Sequence, residues 1–438
     1  MFRYYLKLSW LSIKRTPLLT ALMVLAIGLG IGVSMTVITV NFLMDRDPIP
    51  EKSQQLFSVQ LNSYGNDNSN PWTSDGFPLQ ITYQDAINIH RSAIPSRQTA
   101  SVRTGFSLIP NKSGLTPFMT SARAIYSDFF SMFNISFLYG SHWDKNIDSH
   151  PRDMVVLSKN INDKLFNGKN SVGKTVNLES HIYTIVGVID SWEPTPKFYD
   201  LNNGNFNSPE DIFIPFSLLP VHELLSWGNT NGWKTEKIDS YQARLDSELA
   251  WIQYWVELQT PQQKQNYKNW LSGYISEQKK LGRFENKKAG AAIRDVKQWL
   301  DYNEVVSKDN RVLVGLSFMF LAVCMINTLG LLLAKFLRRA PEVGVRRALG
   351  ASRRTIFIQH LVDVGLIGFA GGLLGLAIGQ LGLLGVKSLY QGYHNLVQMD
   401  FSLILLAIFI ALISSLIAGL YPAWLICRTN PSVYLKSQ

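Results

Sequence analysis

Four long apolar segments constrain this chain more than any other feature of its sequence. We place them at residues 17–44, 311–335, 359–387 and 401–427. Each could cross a hydrocarbon core of about 30 Å, because an α-helix rises about 1.5 Å per residue. A buried helix of this length in a soluble protein normally carries a polar stripe, which these segments lack. The sequence therefore predicts an integral membrane protein with four transmembrane α-helices.

The short loops differ strongly in Lys and Arg content, and this asymmetry predicts the orientation. Residues 1–16 contain four basic side chains and no acidic one, and the loop 336–358 contains six arginines and a single acid. The short loop 388–400 contains no Lys or Arg. We therefore expect both termini, including the tail 428–438, to be cytoplasmic together with the loop 336–358. Residues 45–310 and 388–400 would lie outside, in the periplasm of a bacterial inner membrane.

The net charge of +10 follows from the same topology and indicates membrane lipids as a partner. No motif supports nucleic-acid binding. Residues 1–16 predict an interfacial amphipathic helix on the inner leaflet, with Phe2, Leu6, Ser9/Trp10 and Ile13 on one face. The first apolar segment is too long for a signal peptide and no cleavage motif follows it, so we expect an uncleaved anchor.

The segment 45–310 predicts a large α+β periplasmic domain of two subdomains. One would combine strands near both ends of the segment, and the other would come from its middle. Residues of about 190–250 would form a separate subdomain or insertion, because the periodic signal weakens there into loops. Cys324 and Cys427 both lie in apolar segments, so no disulfide is expected in this domain.

Within this domain, alternating or short apolar runs predict several strands. They lie at residues 56–61, 155–157, 176–178, 182–188, 211–215 and 251–258. Helix N-caps are predicted at Thr82, Ser127, Ser158 and Thr260. After Thr260, Pro261 would occupy the first helical position and Gln263 would complete a capping box.

The segment Gly168–Thr175 matches the phosphate-loop pattern G-x-x-x-x-G-K-T. That chemistry needs a strand before the loop and a helix after it, whereas here a helix precedes and a hairpin follows. The predicted topology also places this loop where there is no ATP. The seven histidines lack metal-ligand spacing, and no nucleophile turn occurs. We therefore predict no catalytic, cofactor-binding or metal site, and no enzymatic activity in this chain.

Glycines recur four residues apart in two of the membrane segments. They are Gly28 and Gly32 in the first, and Gly368, Gly371, Gly372, Gly375 and Gly379 in the third. Such small-residue faces allow close helix packing in lipid. Both a helix pair that slides and static packing within one protomer fit this pattern. His360 and Asp363 lie near the cytoplasmic end of the third segment, where we expect water to reach them, which argues against a proton relay.

Two motifs towards the C-terminus carry a resemblance to a known family. Residues 342–354 read EVGVRRALGASRR, and residues 419–424 read GLYPAW, followed by PSVYL at 431–435. They closely resemble the E-[IV]-G-[ILV]-R-[RK]-A-[LM]-G-A segment and the terminal G-x-Y-P-A pattern of FtsX-domain ABC permeases, the MacB-type superfamily. Residues 128–140 and 165–188 are similar to that family's periplasmic core domain, in which x-G-K-T opens a hairpin.

Four-helix MacB proteins carry an N-terminal nucleotide-binding domain, whereas this sequence starts at its membrane helix. The resemblance then implies a separate ABC ATPase subunit, and a coupling helix at 342–354 that rests on it. The residues implied in this contact are Glu342, Gly344, Arg346, Arg347, Ala348, Gly350 and Arg353. Charged groups would supply polar contacts and small residues would permit close approach. The alternative is that the arginines only fix topology and bind lipid.

The function implied by the resemblance is that of an ABC transporter permease subunit. It would be a dimer with an identical or paralogous permease, and it would transmit ATP-driven motion to the periplasmic domain. The implied process is export of peptides, drugs or other periplasmic substrates, with a membrane-fusion adaptor and an outer-membrane channel. An FtsX-like regulator of cell-wall hydrolases and a Lol-like lipoprotein-releasing permease are the alternatives.

Overall fold

The computed structural model describes residues 2–65, 73–110, 114–389 and 401–428. The chain divides into two compact units. Residues up to Asp45 and from Val306 onward form the membrane unit, and Arg46–Val305 form the large domain. Each unit has its own hydrophobic core. Nearly all of the tail 428–438, with its PSVYL motif, and most of the loop 388–400 lie outside the described residues.

Within the described residues, the helices are numbered α1 to α13. Their bounds are Phe2–Arg15, Pro17–Met44, Tyr83–Ile89, Asp128–Met132, Lys159–Phe166, Leu218–Val221, Tyr241–Leu245, Pro261–Lys280, Val296–Tyr302, Lys308–Leu337, Ala340–Ala348, Arg353–Leu389 and Phe401–Arg428.

The strands of the same residues are numbered β1 to β11. Their bounds are Leu56–Leu61, Ile81–Thr82, Arg97–Ile109, Phe118–Ile125, Phe137–Gly140, Met154–Leu157, Thr175–Leu178, His181–Ile189, Ile212–Pro215, Ala250–Glu257 and Ala291–Asp295.

Four helices of the described chain, α2, α10, α12 and α13, are long and apolar enough to span a membrane, as predicted. The third of them begins at Arg353, six residues earlier than the sequence suggested. The Ser352 hydroxyl explains this start, because it accepts a hydrogen bond of 3.1 Å from the Thr355 N–H and so caps the helix. Helix α12 therefore takes up the last part of the segment assigned to the loop.

Helix α1 precedes the spanning helices, and its inward face matches the expected pattern only in part. Ser9 and Ser12 are its buried side chains, whereas Trp10 is exposed and Leu6 and Ile13 are half-buried. Burying a hydroxyl group is costly unless the group is hydrogen bonded. Ser12 finds such partners on neighbouring elements, and they are described with the site below.

The large domain is built on one sheet with the strand order β11-β1-β10-β3-β4-β9-β6-β8-β5. β2 pairs with β10, and β7 pairs with β3 and β8. Strands from both ends of the segment form one half of the sheet, and strands from its middle form the other. Most pairs are antiparallel, but β4–β9 and β6–β8 are parallel.

The sheet corrects the expectation that residues of about 190–250 form a separate subdomain or insertion. Strand β9 lies inside the sheet, hydrogen bonded to β4 on one edge and to β6 on the other. All four of its residues are buried. An apolar strand paired on both edges cannot leave the sheet without exposing backbone groups, so this region contributes β9 to the domain's core.

Most predicted caps and turns of the large domain are present. The side chains of Thr82, Ser158 and Thr260 accept hydrogen bonds from the backbone N–H three residues on, and β7 and β8 form the predicted hairpin. Two details differ. Ser127 precedes α4 but donates its hydroxyl to Asp148. The side-chain oxygen of Gln263 accepts a hydrogen bond from the Gln259 N–H instead of the Thr260 N–H, so the predicted capping box is incomplete.

A buried ionic cluster fixes the loop between β8 and β9 to the sheet. The Arg123 guanidinium contacts Asp200 and Glu210, and Lys197 Nζ lies 2.6 Å from Glu210 Oε1. Burial alone would raise the pKa of Glu210, but the two cations lie so close that this pKa ends well below its usual value. The loop that looked featureless in sequence is thus ordered by fully buried charges.

Candidate functional site

The candidate site is the short helix α11, which connects the second and third spanning helices. Pro341 occupies its first turn, where the missing N–H costs nothing. At its other end Gly350 has a φ of +97°. The Gly350 N–H bonds to Arg347 O at 3.1 Å and the Ala351 N–H to Arg346 O at 3.0 Å. This is the Schellman arrangement that ends a helix at a left-handed residue.

The inward face of α11 is apolar and belongs to the core of the membrane unit. Ala340, Val343 and Gly344 are buried, and the first two pack in one cluster with Phe336 and Ile356. The structure therefore places Gly344 inside the chain, where it is not available to a separate subunit. Gly350 is exposed with open space around it, but its turn conformation already accounts for a glycine there.

Three of the four charged side chains predicted to contact an ATPase, those of Glu342, Arg346 and Arg347, are engaged within the chain. Arg346 Nη2 lies 2.5 Å from Glu342 Oε1, and Arg346 Nη1 donates to Gln359 Oε1 at 3.1 Å. Arg347 Nη1 donates to the Cys427 carbonyl at 3.4 Å. These bonds tie α11 to α12 and α13. Glu342, Arg346 and Arg347 thus hold α11 against neighbouring helices of the same chain, and their contact with an ATPase stays a prediction.

The outward face of α11 is apolar, which the sequence analysis did not identify. Leu349 is 82 % exposed and Val345 48 % exposed, and Ala348 and Pro341 are also exposed. Among the predicted contact residues, Ala348 is the one that lies on this face. Arg353 is the first residue of α12, and its carbonyl accepts a contact of 3.7 Å from Cys427 Sγ. The four-residue spacing of Pro341, Val345 and Leu349 is the signal that could have revealed this face.

A polar group, here named the polar clasp, lies beside α11 and consists of the buried Ser12, Lys335 and Asp363 with the half-buried Arg339. The Ser12 hydroxyl donates to Asp363 Oδ2 at 2.8 Å, and Lys335 Nζ lies 3.2 Å from the same oxygen. Arg339 donates to the Ser12 hydroxyl at 2.5 Å and to the Ser12 carbonyl at 3.1 Å. The polar clasp therefore joins α1, the end of α10, the turn before α11, and α12.

The prediction that water reaches His360 and Asp363 is wrong. Their exposed fractions are 4 % and 3 %. The His360 ring packs against Phe336, with 4.3 Å between ring centroids, and Asp363 is enclosed by the polar clasp. Helix α1 covers this side of α12, so the chain itself excludes water there.

One row of glycines on α12 faces α2. A Cβ atom built at Gly375 would lie 2.8 Å from Ile31 Cβ, closer than real Cβ contacts allow. The same is true of Gly371 against Ile27, at 2.6 Å. Gly379 contributes its carbonyl, which accepts from the Thr36 hydroxyl at 3.3 Å.

Glycines of α2 meet this row from the other side. A Cβ at Gly32 would lie 2.6 Å from Ile378 Cγ2, and one at Gly28 would lie 3.0 Å from the Leu374 side chain. The absence of side chains on both helices lets the two backbones approach each other closely.

Two further glycines of the predicted set on α12 face α13. A Cβ at Gly368 would lie 2.0 Å from Ser415 Oγ, and one at Gly372 would lie 2.9 Å from Ala411 Cβ. Helix α12 thus presents separate glycine rows to two neighbours, and both rows are occupied by helices of the same chain.

The loop Gly168–Thr175 lies between helix α5 and strand β7. This order is the reverse of the strand-loop-helix order that a phosphate loop requires. The helix end nearest the loop is a C-terminus, capped by Asn167 with a φ of 53°. Its carbonyl groups do not favour a phosphate.

Two family models match the chain. The MacB-like periplasmic core domain matches residues 19–270, and the FtsX-like permease C-terminal region matches residues 314–431. The first of them covers more than half of the chain.

Individual relatives agree with these matches. The macrolide export ATP-binding/permease protein MacB of Salmonella paratyphi A is 22 % identical over 434 residues, which are 98 % of this chain and 59 % of that protein. The chain thus spans about three fifths of the length of this relative. The uncharacterized ABC transporter permease YvrN of Bacillus subtilis is 20 % identical over 382 residues, 84 % of each chain.

Among solved structures, the periplasmic region of MacB from Actinobacillus actinomycetemcomitans is similar at a TM-score of 0.35 and 12 % identity. The match covers 57 % of this chain and 92 % of that structure. On the two family matches, the chain belongs to the family with a MacB-like periplasmic core domain and an FtsX-like permease C-terminal region.

Proposed function

We propose that this chain is the permease subunit of an ABC transporter and transmits motion from a separate ATPase subunit to its large domain. The Salmonella relative is named as an ATP-binding/permease protein and the Bacillus relative as an ABC transporter permease, which supports this class. The energy would come from ATP hydrolysed in the partner. The chain itself would carry out no bond chemistry.

The observation that carries the proposal is the apolar outward face of α11, formed by Pro341, Val345, Ala348 and Leu349. A side chain as exposed as Leu349 is costly to leave in water, and a contiguous apolar patch next to polar surroundings is typical of a contact surface. The positive-inside asymmetry predicts a cytoplasmic location for this helix, where an ATPase subunit would meet it.

The contacts behind that face would carry motion into the membrane helices. Arg346 and Arg347 tie α11 to α12 and α13, and the polar clasp joins the turn before α11 to α1 and α12. A displacement of α11 would therefore move several spanning helices together, because packed elements shift as rigid bodies. The glycine rows of α12 would let it rock against α2 and α13.

The remaining partners follow from the family. The chain would pair with an identical or paralogous permease through its membrane helices, and α10, with the smallest buried share of the four spanning helices, is the candidate surface. A periplasmic adaptor and an outer-membrane channel would complete an export system for peptides, drugs or other periplasmic substrates. The match to the MacB-like core domain favours this role over regulation of cell-wall hydrolases.

Two substitutions on the outward face of α11 test the proposal. Leu349→Ala removes the most exposed apolar side chain, and Ala348→Trp adds bulk at an exposed helical position without backbone strain. We expect each to weaken co-purification of an ATPase from native membranes by about 1–2 kcal/mol, or roughly 5–30-fold. Leu406→Trp is the matched control, because Leu406 is exposed on α13 at a distance in sequence from the loop.

Membrane abundance of the variants should equal that of the unmodified chain. If Ala348→Trp binds its ATPase and supports ATP-driven activity as well as Leu406→Trp does, α11 is a topology and lipid anchor, and the proposal fails. Gly350→Trp is unsuitable here, because a side chain at a φ of +97° strains the turn whatever α11 contacts.

A further inference from the structure

The large domain contains an open groove beside the loop that imitates a phosphate-binding motif. Its volume is about 550 Å³, within the range of about 300–1,000 Å³ that is usual for small-molecule sites. It is lined by Leu108, Ile109, Pro110, Leu165, Phe166, Gly173, Lys174, Thr175 and Val176. We call this the Lys174 groove.

The walls of the Lys174 groove are apolar and come from three elements. Leu108 at the end of β3, Leu165 in α5 and Val176 in β7 are buried, while Ile109 is more than one third exposed and Phe166 half-buried. An apolar surface of this kind favours a hydrocarbon portion of a ligand over water.

Among the described residues that line the groove, Lys174 is the one cation, and it lies at the edge of this apolar surface. Lys174 is exposed, and its Nζ lies 5.1 Å from the centroid of the Phe166 ring. Among the described residues no carboxylate forms an ion pair with it, whereas Asp163, the acidic residue of α5, is paired with Lys159 at 2.6 Å. The charge of Lys174 is therefore available to an anion that enters the groove.

The backbone that carries Lys174 is held in place. The Gly173 N–H donates to Ile185 O at 2.8 Å, and the Ile185 N–H donates to the Lys174 carbonyl at 2.9 Å. The Ser171 hydroxyl donates to the buried Asn162 side chain at 2.6 Å. A cation on a fixed backbone loses less freedom on binding than one on a mobile loop.

The charge pattern also selects the head group. A phosphate is normally held by several N–H donors at a helix N-terminus, but this loop follows the C-terminus of α5, and the lining residues that the structure describes include one lysine. A carboxylate needs one cation. We propose that the Lys174 groove binds a single-chain amphiphile with a carboxylate head, with the chain on the apolar walls and the head at Lys174. This inference is independent of ATPase docking at α11.

Photolabelling of the full chain in lipid nanodiscs tests the site. The probe is a palmitic-acid analogue with a diazirine at the end of its chain, and labelled peptides are mapped by mass spectrometry. We expect labels on residues that line the Lys174 groove, in addition to labels on the spanning helices. Because the labelled peptides are mapped, labels in the groove are distinguished from labels on the spanning helices. Partitioning of the probe into the membrane therefore does not obscure the result. The same probe with an alcohol head should label the groove about tenfold less.

Three variants complete the design. Lys174→Met should lower groove labelling about tenfold, and Thr175→Trp, at an exposed lining position, should abolish it. Lys169→Met is the matched control, because Lys169 is exposed on the same loop and does not line the groove. Near-ultraviolet circular dichroism checks that the variants are folded.

Labels confined to the spanning helices would overturn the proposal. So would equal labelling by the acid and the alcohol, or equal labelling of the Lys174→Met and Lys169→Met variants. Labelling of Gly168–Thr175 by an azido-ATP probe would also overturn it, since a nucleotide would then be the ligand of this loop.

Discussion

Lys335 Nζ lies 3.2 Å from Asp363 Oδ2 at the contact between α10 and α12, and both side chains are buried. An ion pair in such surroundings contributes little net stability, because removing two charges from water costs several kcal/mol per ion. The ion pair instead fixes the relative position of two helices. The pair aligns α10 with α12 next to α11, and Ser12 and Arg339 extend the same contact to α1.

The first prediction concerns the two members of this pair. Lys335→Met leaves Asp363 buried without its cation, and Asp363→Leu leaves Lys335 buried without its anion. We expect either single change to lower the free energy of unfolding by about 3–5 kcal/mol. The double variant should recover most of that loss, because two apolar side chains can replace a buried ion pair. Unfolding of the purified chain in mixed micelles, titrated with dodecyl sulfate, provides the measurement. Additive losses in the double variant would show that the two side chains are not coupled.

The second prediction compares two glycines of the same helix. Gly375→Leu places a side chain where a Cβ atom alone would lie 2.8 Å from Ile31, whereas a Cβ at Gly365 meets nothing within 4 Å. We expect Gly375→Leu to destabilise the membrane unit by about 1–3 kcal/mol or more through overpacking. Gly365→Leu should change stability by no more than about 0.5 kcal/mol. Thermal unfolding followed by fluorescence-detected size exclusion compares the two, and equal melting temperatures would rule out the close α2–α12 contact.

Much of the architecture could be predicted from local sequence patterns. Uninterrupted apolar runs gave the four spanning helices, and side-chain caps such as Thr82 and Ser158 marked helix starts in the large domain. These signals are local because each depends on residues within one or two turns of the chain. The glycine spacing in α12 likewise indicated close packing, although the identity of the neighbours, α2 and α13, was not encoded locally.

Contacts between distant residues could not be predicted in this way. Ser12 and Asp363 are 351 positions apart, and Arg123 reaches Asp200 across 77 positions. Such pairs can be identified only when the fold is known. In the sequence, a polar residue in a weakly patterned segment cannot be distinguished from one on the protein surface. The partners that the charges of α11 find within the chain could not be predicted for the same reason. Arg346 and Glu342 are spaced to pair with each other, and which face of α11 points outward depends on how it rests on α12.

The third prediction concerns the pH dependence of the large domain. Burial lowers the pKa of His90 to about 4, against an opposing effect of Asp128 and a minor contribution from Lys145. The folded domain therefore keeps His90 neutral at a pH where the unfolded chain, with a pKa of about 6.5, has taken up a proton. Stability should be lost as the pH falls from about 6.5 to about 4, by roughly 3 kcal/mol in total.

His90→Gln isolates this contribution. The variant should lose less stability than the unmodified domain over the same pH range, since the side chain no longer titrates. Urea unfolding of a fragment of residues 46–305, which contains the complete sheet and its core, measures the difference at each pH. Parallel pH profiles for the two proteins would contradict the burial argument for His90.

The fourth prediction concerns membrane topology, and it rests on the unequal distribution of Lys and Arg among the loops. Reporter fusions after residue 60 and after residue 300 should report a periplasmic location, because both sites lie in the large domain between the first two spanning helices. Fusions near residue 345 and after residue 438 should report the cytoplasm.

As a control, replacing Arg346, Arg347, Arg353 and Arg354 with Gln should weaken the orientation preference without changing the number of spanning helices. Four α-helical spans with both termini on one side require the large domain and α11 to lie on opposite faces of the membrane. A cytoplasmic signal from the large domain would therefore contradict the orientation and, with it, ATPase docking at α11.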